Sequence, residues 1–421
     1  MSNDLLRVVA PDSVDDAVRE PVDEEAAAAA AKIVGDVRRR GEAAVLDYAR
    51  LFGDLQPGAP IYLGRDDMEA ATGRVPAADR ELLERAAARI EAFAGAQRRA
   101  MGDVSVPIPG GRAGHTVCAV QRAGCYAPGG RFPLPSSVLM TAVTARAAGV
   151  GEVWVASPRP TDITLCAARL AGASGVLGVG GAQAIAALAF GIGPVPPCDA
   201  VVGPGNRYVT AAKQAVAGRV AIDMLAGPSE LVVLADGSAN PGIVAADLLA
   251  QAEHDPEAAP ILVTADADLV GRVNASLDEQ IRSLPTADIA RAAFDNGFAV
   301  VASSVEEGVE VCDRIAPEHL EVLVENAEEV AGRCSNYGGI FIGEGAAEVL
   351  GDYGAGPNHT LPTGGTARSF GGLSVYSFLR IRTWMTVDDP SASAPLLSDA
   401  ERLARIEGLE AHARAAAIRS R

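Results

Sequence analysis

Only five histidines occur in this chain of 421 residues, and four of them have neighbours they could do chemistry with. In DLLAQAEHDP (247–256), Gln251 and His254 are three residues apart on a predicted helix that Pro256 brings to an end. That spacing turns both side chains the same way and suits two ligands of one metal, as it also suits a solvated helix face. In APEHLEV (316–322), Glu318 and His319 sit side by side after a proline and before a predicted strand. An acid next to a base of different pKa is what paired proton transfers require, although a surface dipeptide would read the same. GDYGAGPNHTLPTGG (351–365) places Asp352 and His359 in a glycine-rich loop whose backbone can approach a ligand closely. Glu407 and His412 in IEGLEAHAR lie five apart, about 140° around a helix, so they could converge on a ligand only from two sides.

A second set of turns carries few charges. GCYAPGG (124–130), LGVGGAQA (177–184) and VVGPGNRYV (201–209) are glycine-rich. The last two follow predicted strands and open predicted helices, where free N–H groups can hold phosphates or sugar hydroxyls. None is a G-x-G-x-x-G, and no acid stands compellingly about 20 residues further on, so spacing alone does not establish a dinucleotide site. AGPSE (226–230) sets Ser229 just before another predicted strand.

The elements that must position these residues alternate. Short apolar runs at 153–156, 176–179, 200–202 and 231–234 predict buried strands, with helices at 137–148, 161–172, 182–190 and 205–218 between them. A second series has strands at 261–264, 299–302, 320–324 and 339–342, and helices at 241–254, 266–283, 304–315 and 325–332. Repeated β-α units imply two parallel-sheet domains. Helical periodicity covers 24–53 and 76–100, the latter with Leu82, Leu83, Ala86, Ile90 and Phe93 as its apolar stripe. The expected division is an N-terminal segment 1–24, a discontinuous first domain 25–124 plus 233–384, a second domain 125–232, and a helical tail 385–421. Leu396, Leu397, Leu403, Ile406 and Leu409 are the expected anchors of that tail.

Composition narrows the function classes. With 49% hydrophobic residues the chain can build a large core, yet no apolar run of membrane-spanning length occurs. The N-terminus lacks the basic flank and apolar stretch of a signal peptide, so a cytoplasmic protein is expected. The net charge of −18 disfavours nucleic acid and anionic membranes as partners and reads as a solubility adaptation. Two lysines stand against 34 arginines. Six scattered cysteines without a C-x-x-C pair read as small buried hydrophobes.

Taken in order, these segments closely resemble the histidinol dehydrogenase family. The likeness is carried by Y-x-P-G-G at 126–130, P-L-P-S-S-V-L-M at 133–140, G-G-A-Q-A-I at 180–185 and G-P-G-N at 203–206. It continues through A-G-P-S-E at 226–230, Q-A-E-H at 251–254, P-E-H-L at 317–320 and G-D-Y-x-x-G-x-N-H at 351–359, covering roughly residues 25–415. The resemblance implies two incomplete Rossmann-like domains with small helical terminal segments in an intertwined homodimer. It implies one zinc per subunit held by Gln251, His254, Asp352 and His412, although chemistry alone would favour Glu253 over a glutamine oxygen. Ser229, His319 and Glu407 would join those ligands in binding L-histidinol, and Tyr126, Gln183 and Asn206 would bind NAD. His319 would take the alcohol proton, and Glu318 would activate water for the aldehyde, in a four-electron oxidation through L-histidinal to L-histidine. Glu407 and His412 would complete the partner's site. His115 matches no site of the family and is expected near the GGRAGH turn, and CAVQRAGCY departs from the basic-proline approach usual before Tyr126. A relative oxidising another small polar alcohol, such as sulfopropanediol, is the alternative, though Glu407 suits an imidazole N–H and would repel a sulfonate. A zinc hydrolase would leave Tyr126, Gln183 and Asn206 without a purpose.

Overall fold

The Val, Ile, Leu and Ala runs become two six-stranded sheets in the computed structural model, which describes residues 4–17, 22–55, 59–129 and 132–420. Gly130, the end of the Y-x-P-G-G motif, lies outside the described residues. In one sheet the strands run Arg7–Val9, Phe298–Val301, Ala259–Thr264, Glu230–Ala235, His319–Leu323, Gly339–Ile342, all parallel. The other runs Tyr62–Leu63, Gly175–Leu177, Glu152–Ala156, Arg122–Tyr126, Ala200–Val202, Ala221–Ile222, parallel except at Tyr62–Leu63. Setting aside the first strand of each row, both follow the doubly wound order 3-2-1-4-5, with apolar cores on both faces. The two expected parallel-sheet domains are therefore present.

The early helices attach differently from the expected grouping of 25–124 with 233–384. Helix Glu24–Arg40 packs on Gly181–Phe190 and Arg207–Val216, Arg65–Arg74 on Asp162–Leu170, and Ala77–Ala100 on Pro135–Ala148. Their apolar faces thus close the cores of the sheet built from 122–222, while the N-terminal strand Arg7–Val9 crosses to the edge of the other sheet. Helix Ala77–Ala100 buries Leu83, Ala86, Ile90 and Ala94, a 3.6-residue stripe that leaves Leu82 and Phe93 exposed.

A third, antiparallel sheet of three strands joins Val104–Ile108, Gly111–Ala119 and Leu379–Val387. His115 lies within its central strand, its Nε2 3.3 Å from the Gly102 carbonyl, and not in the preceding turn. Beyond this sheet the tail forms helices Ala394–Ile406 and Glu410–Ala417. Ala404, Ala413 and Ala416 are buried there, whereas the expected anchors Leu403, Ile406 and Leu409 are exposed. Five of the six cysteines are buried and all are free.

Candidate active site

The chain passes from the carboxyl end of strand Ala221–Ile222 into the amino end of Glu230–Ala235 within a few residues, so the carboxyl edge of one sheet meets the amino edge of the other. Most of the polar residues singled out in sequence gather at this junction. On the amino edge, His319 is the first residue of its strand, and Glu318 precedes it. Ala316, just before Pro317, holds a left-handed φ of +51° at the end of helix Val305–Ile315. A side chain in that region costs about 1–2 kcal/mol, strain that fixes the direction in which Glu318 and His319 leave the helix.

His319 is buried, and its Nδ1 lies 3.2 Å from the Glu230 carbonyl, 3.5 Å from Glu348 and 3.7 Å from Glu318. Burial holds its imidazole down to about 4, so it is neutral at pH 7. A proton on Nδ1 donated to the carbonyl leaves the Nε2 lone pair free to act as a base. Burial likewise pushes the Glu318 carboxyl well above the usual carboxylate range, with Glu230 and Asp352 adding to it. Its Oε2 accepts the Glu230 N–H at 3.1 Å, and the Ser229 side chain stands near enough to temper the upward shift.

Helix Pro241–Ala252 begins at an Asn240 cap and delivers Gln251 and His254 at its end. His254 Nε2 is 3.6 Å from Asp352 Oδ2, and ligand atoms of His254, Glu348 and Asp352 all lie within 4.8 Å of one another. Gln251 is fully buried, yet neither atom of its carboxamide has a hydrogen-bond partner. Such orphaned groups are rare unless a ligand or ion satisfies them. Asp352 is further set by His359, whose Nδ1 is 3.0 Å from the Asp352 carbonyl. The loop carrying His359 docks on helix Pro135–Ala148 of the other sheet, where Asn358 donates to the Met140 carbonyl at 2.8 Å.

Behind this cluster lies a pair of acids. Glu321 accepts the Glu348 N–H at 2.8 Å through Oε1, and its other side faces Asp247, one turn before Gln251. Burial, then the Asp247 charge, pushes Glu321 up to about 8, so its neutral form is favoured at pH 7. A raised folded-state pKa gives stability that is complete below the ordinary 4.5 and is lost as pH climbs through about 8. Glu321→Gln keeps an oxygen for the Glu348 N–H and needs no proton to be neutral. Its melting temperature should therefore gain a few degrees on the wild type between about pH 5 and pH 9. A difference between the two proteins that does not change with pH would rule out a raised Glu321 carboxyl.

On the carboxyl edge of the other sheet, Tyr126 ends its strand, and its hydroxyl accepts the Gly181 N–H at 3.2 Å. Gln183 is buried at the start of helix Gly181–Phe190, its Nε2 donating to Asp54 at 3.1 Å while its Oε1 has no partner. Asn206 caps helix Arg207–Val216 through Oδ1, which accepts from Tyr208 and Val209 and leaves its N–H groups free to donate. Gly203 holds φ at +123°, and a Cβ there would lie 2.0 Å from the Tyr126 carbonyl oxygen. Tyr126 and Asn206 flank the point where strand order reverses, the usual crevice for a ligand of such a sheet.

Comparison with known proteins decides the family. The sequence model described as histidinol dehydrogenase matches residues 18–420. The chain belongs to the histidinol dehydrogenase family. It is 42% identical over 394 residues to the histidinol dehydrogenase of Geobacter metallireducens, covering 92% of this chain and 90% of that protein. The Prochlorococcus marinus protein of the same name is 45% identical over 402 residues, covering 94% and 90%. The solved histidinol dehydrogenase of Elizabethkingia anophelis superposes with a TM-score of 0.92 at 32% identity, over 100% of this chain and 99% of that one. Histidinol dehydrogenases are NAD-dependent oxidoreductases, so this chain is an oxidoreductase, and its relatives' names do not favour the sulfonated-diol alternative. Among the described residues no helix is long and apolar enough to cross a membrane.

Within this histidinol dehydrogenase fold, two of the residues singled out in sequence stay away from the cluster. The single helix expected to carry both is broken at Gly408 (φ +75°). Glu407 is exposed in the turn after helix Ala394–Ile406, His412 is exposed on helix Glu410–Ala417, and His412 is absent from the His254–Glu348–Asp352 group. Conversely, Glu348 was missed by the sequence reading. It stands four residues before Asp352 on one short helix, an i,i+4 acid pair that would have marked it. Asp54 carried no local signal, while Glu230 and Glu321 lay inside AGPSE and APEHLEV without being singled out.

Proposed function

We propose that this chain, as a cytoplasmic homodimer, oxidises L-histidinol through L-histidinal to L-histidine with zinc and NAD, in histidine biosynthesis. The observation that carries this reading is the buried, neutral His319 beside Glu318 at an edge shared with His254 and Asp352, in a chain of this family. NAD, bound by Tyr126, Gln183 and Asn206, accepts the hydride of each oxidation. The unpartnered Gln183 oxygen and the Gly203 backbone, which a side chain would block, support that placement. His319 takes the alcohol proton on Nε2 and serves again when the hydrated aldehyde is oxidised. Glu318 orients and deprotonates the water that hydrates the aldehyde. Burial and the neighbouring carboxyls disfavour its charged form, and a cation near Asp352 would offset them. The division into two α/β units around residues 125–232 and 233–384 follows this split of labour, with 25–124 reassigned to the former.

The metal site fits zinc. Gln251, His254 and Asp352 supply oxygen and nitrogen donors, and the orphaned Gln251 carboxamide needs a partner of this kind. Glu348 lies within reach of the same site and of His319 Nδ1, and burial raises its carboxyl above the usual range. Zinc there would supply a Lewis acid that fixes the substrate's amine and imidazole and stabilises charge on its oxygen. Chelation should abolish turnover and added zinc restore it, and full turnover in verified metal-free protein would exclude the assignment. His412 as fourth ligand and Glu407 as substrate contact would come from the partner's tail, with Ser229 completing the pocket. The exposed apolar residues Leu403, Ile406 and Ile418 of the tail, with Ile381 and Met385 on the adjoining strand, support a tail covered by a second subunit. NADH formation from histidinol tests the whole reading.

A further inference from the structure

Lys213 is the one buried lysine of a chain that elsewhere uses arginine almost exclusively. It stands on helix Arg207–Val216 at 1% exposure, with Nζ 2.5 Å from Asp223 Oδ1 and donating to the Gly203 carbonyl at 3.0 Å. Asp223 accepts the Gly203 N–H at 2.7 Å through its other oxygen. The pair thus holds both polar groups of a single residue, one from each side. Gly203 is pressed at the same time against the Tyr126 backbone. Three residues later comes Asn206, the helix cap with free N–H groups.

A buried ion pair rarely repays its desolvation, and apolar residues of similar volume often replace one at no cost in stability. Stability alone is therefore a weak reason to keep this pair. An arginine could not replace the lysine: its planar five-donor fork would not fit where a compact ammonium bridges one carboxylate and one carbonyl. We infer that Lys213 and Asp223 are positioning residues that lock the Gly203–Asn206 turn in the shape that receives the dinucleotide. This rests on the reading that the turn binds NAD, and it adds the part of the protein that sets the turn's geometry.

The test is NADH affinity, measured by fluorescence titration of the zinc-loaded dimer. Lys213→Met/Asp223→Leu removes both charges together with side chains of similar shape, so no lone charge is left buried. The turn then loses its two anchors, and NADH should bind about tenfold more weakly or worse, equivalent to about 1.4 kcal/mol. Zinc content and histidinol affinity, which depend on the other sheet's edge, should stay near wild type. A uniformly loosened fold would move all three quantities together and would contradict a positioning role. Should the double variant fail to fold, Asp223→Asn, which keeps the shape and one acceptor oxygen, is measured in the same way. Asn206→Ala separates the two layers of the inference. If it weakens NADH while the paired variant binds normally, the clamp is wrong and the cofactor turn stands. If neither variant alters NADH affinity, the turn does not hold the dinucleotide, and both fail.

Discussion

Glu318→Gln should slow the oxidation of histidinal to histidine far more than the oxidation of histidinol to histidinal. Only the later half-reaction consumes water, and Glu318 is the group assigned to that water. The amide keeps an oxygen to accept the Glu230 N–H at 3.1 Å, so the local fold should survive the change. His319→Asn should behave differently. A base used in both oxidations is lost, and both half-reactions should fall by about 10²–10⁴-fold, the usual value of a positioned general base. Each half-reaction can be started separately from histidinol and from histidinal. Equal losses in the two halves for Glu318→Gln would remove it as the water-activating group.

Mixing two dead proteins should restore activity if the tail crosses between subunits. His254→Ala and His412→Ala each remove one proposed zinc ligand and should be inactive alone. Unfolded and refolded together, about half of the dimers should be mixed. With a crossing tail, every mixed dimer has one site with both lesions and one with neither, so about a quarter of all sites recover. If each tail served its own subunit, every site would keep one lesion and nothing would return. The isolated chain leaves Glu407 and His412 exposed, away from His254 and Asp352, the arrangement that gives this experiment its force.

Much of the two sheets was legible because strands buried on both faces must be continuous apolar runs, and Glu230–Ala235 and Ala259–Thr264 are such runs. What failed was the attachment of residues 25–124. An amphipathic stripe such as Leu83, Ala86 and Ile90 states that a helix has a buried face and says nothing about which sheet covers it. The antiparallel sheet escaped for a related reason: Leu379–Val387 pairs with Gly111–Ala119 across more than two hundred residues, and no turn between them announces the pairing. At the site, motif residues such as His254, His319 and Asp352 stood out through residue type and spacing. Glu321 looked like one more residue of a strand, because its acid partner Asp247 comes from a helix 74 residues earlier. Lys213 and Asp223 sit in segments with no motif at all, joined only by the fold.

The central claim is a double oxidation at one site, and the most direct measurement counts its electrons. With histidinol limiting, NAD in excess and zinc present, the account predicts two NADH formed for each histidinol consumed, with histidine as the product. One NADH per histidinol with histidinal accumulating, or histidinol left unchanged while a sulfonated diol is oxidised, would contradict it.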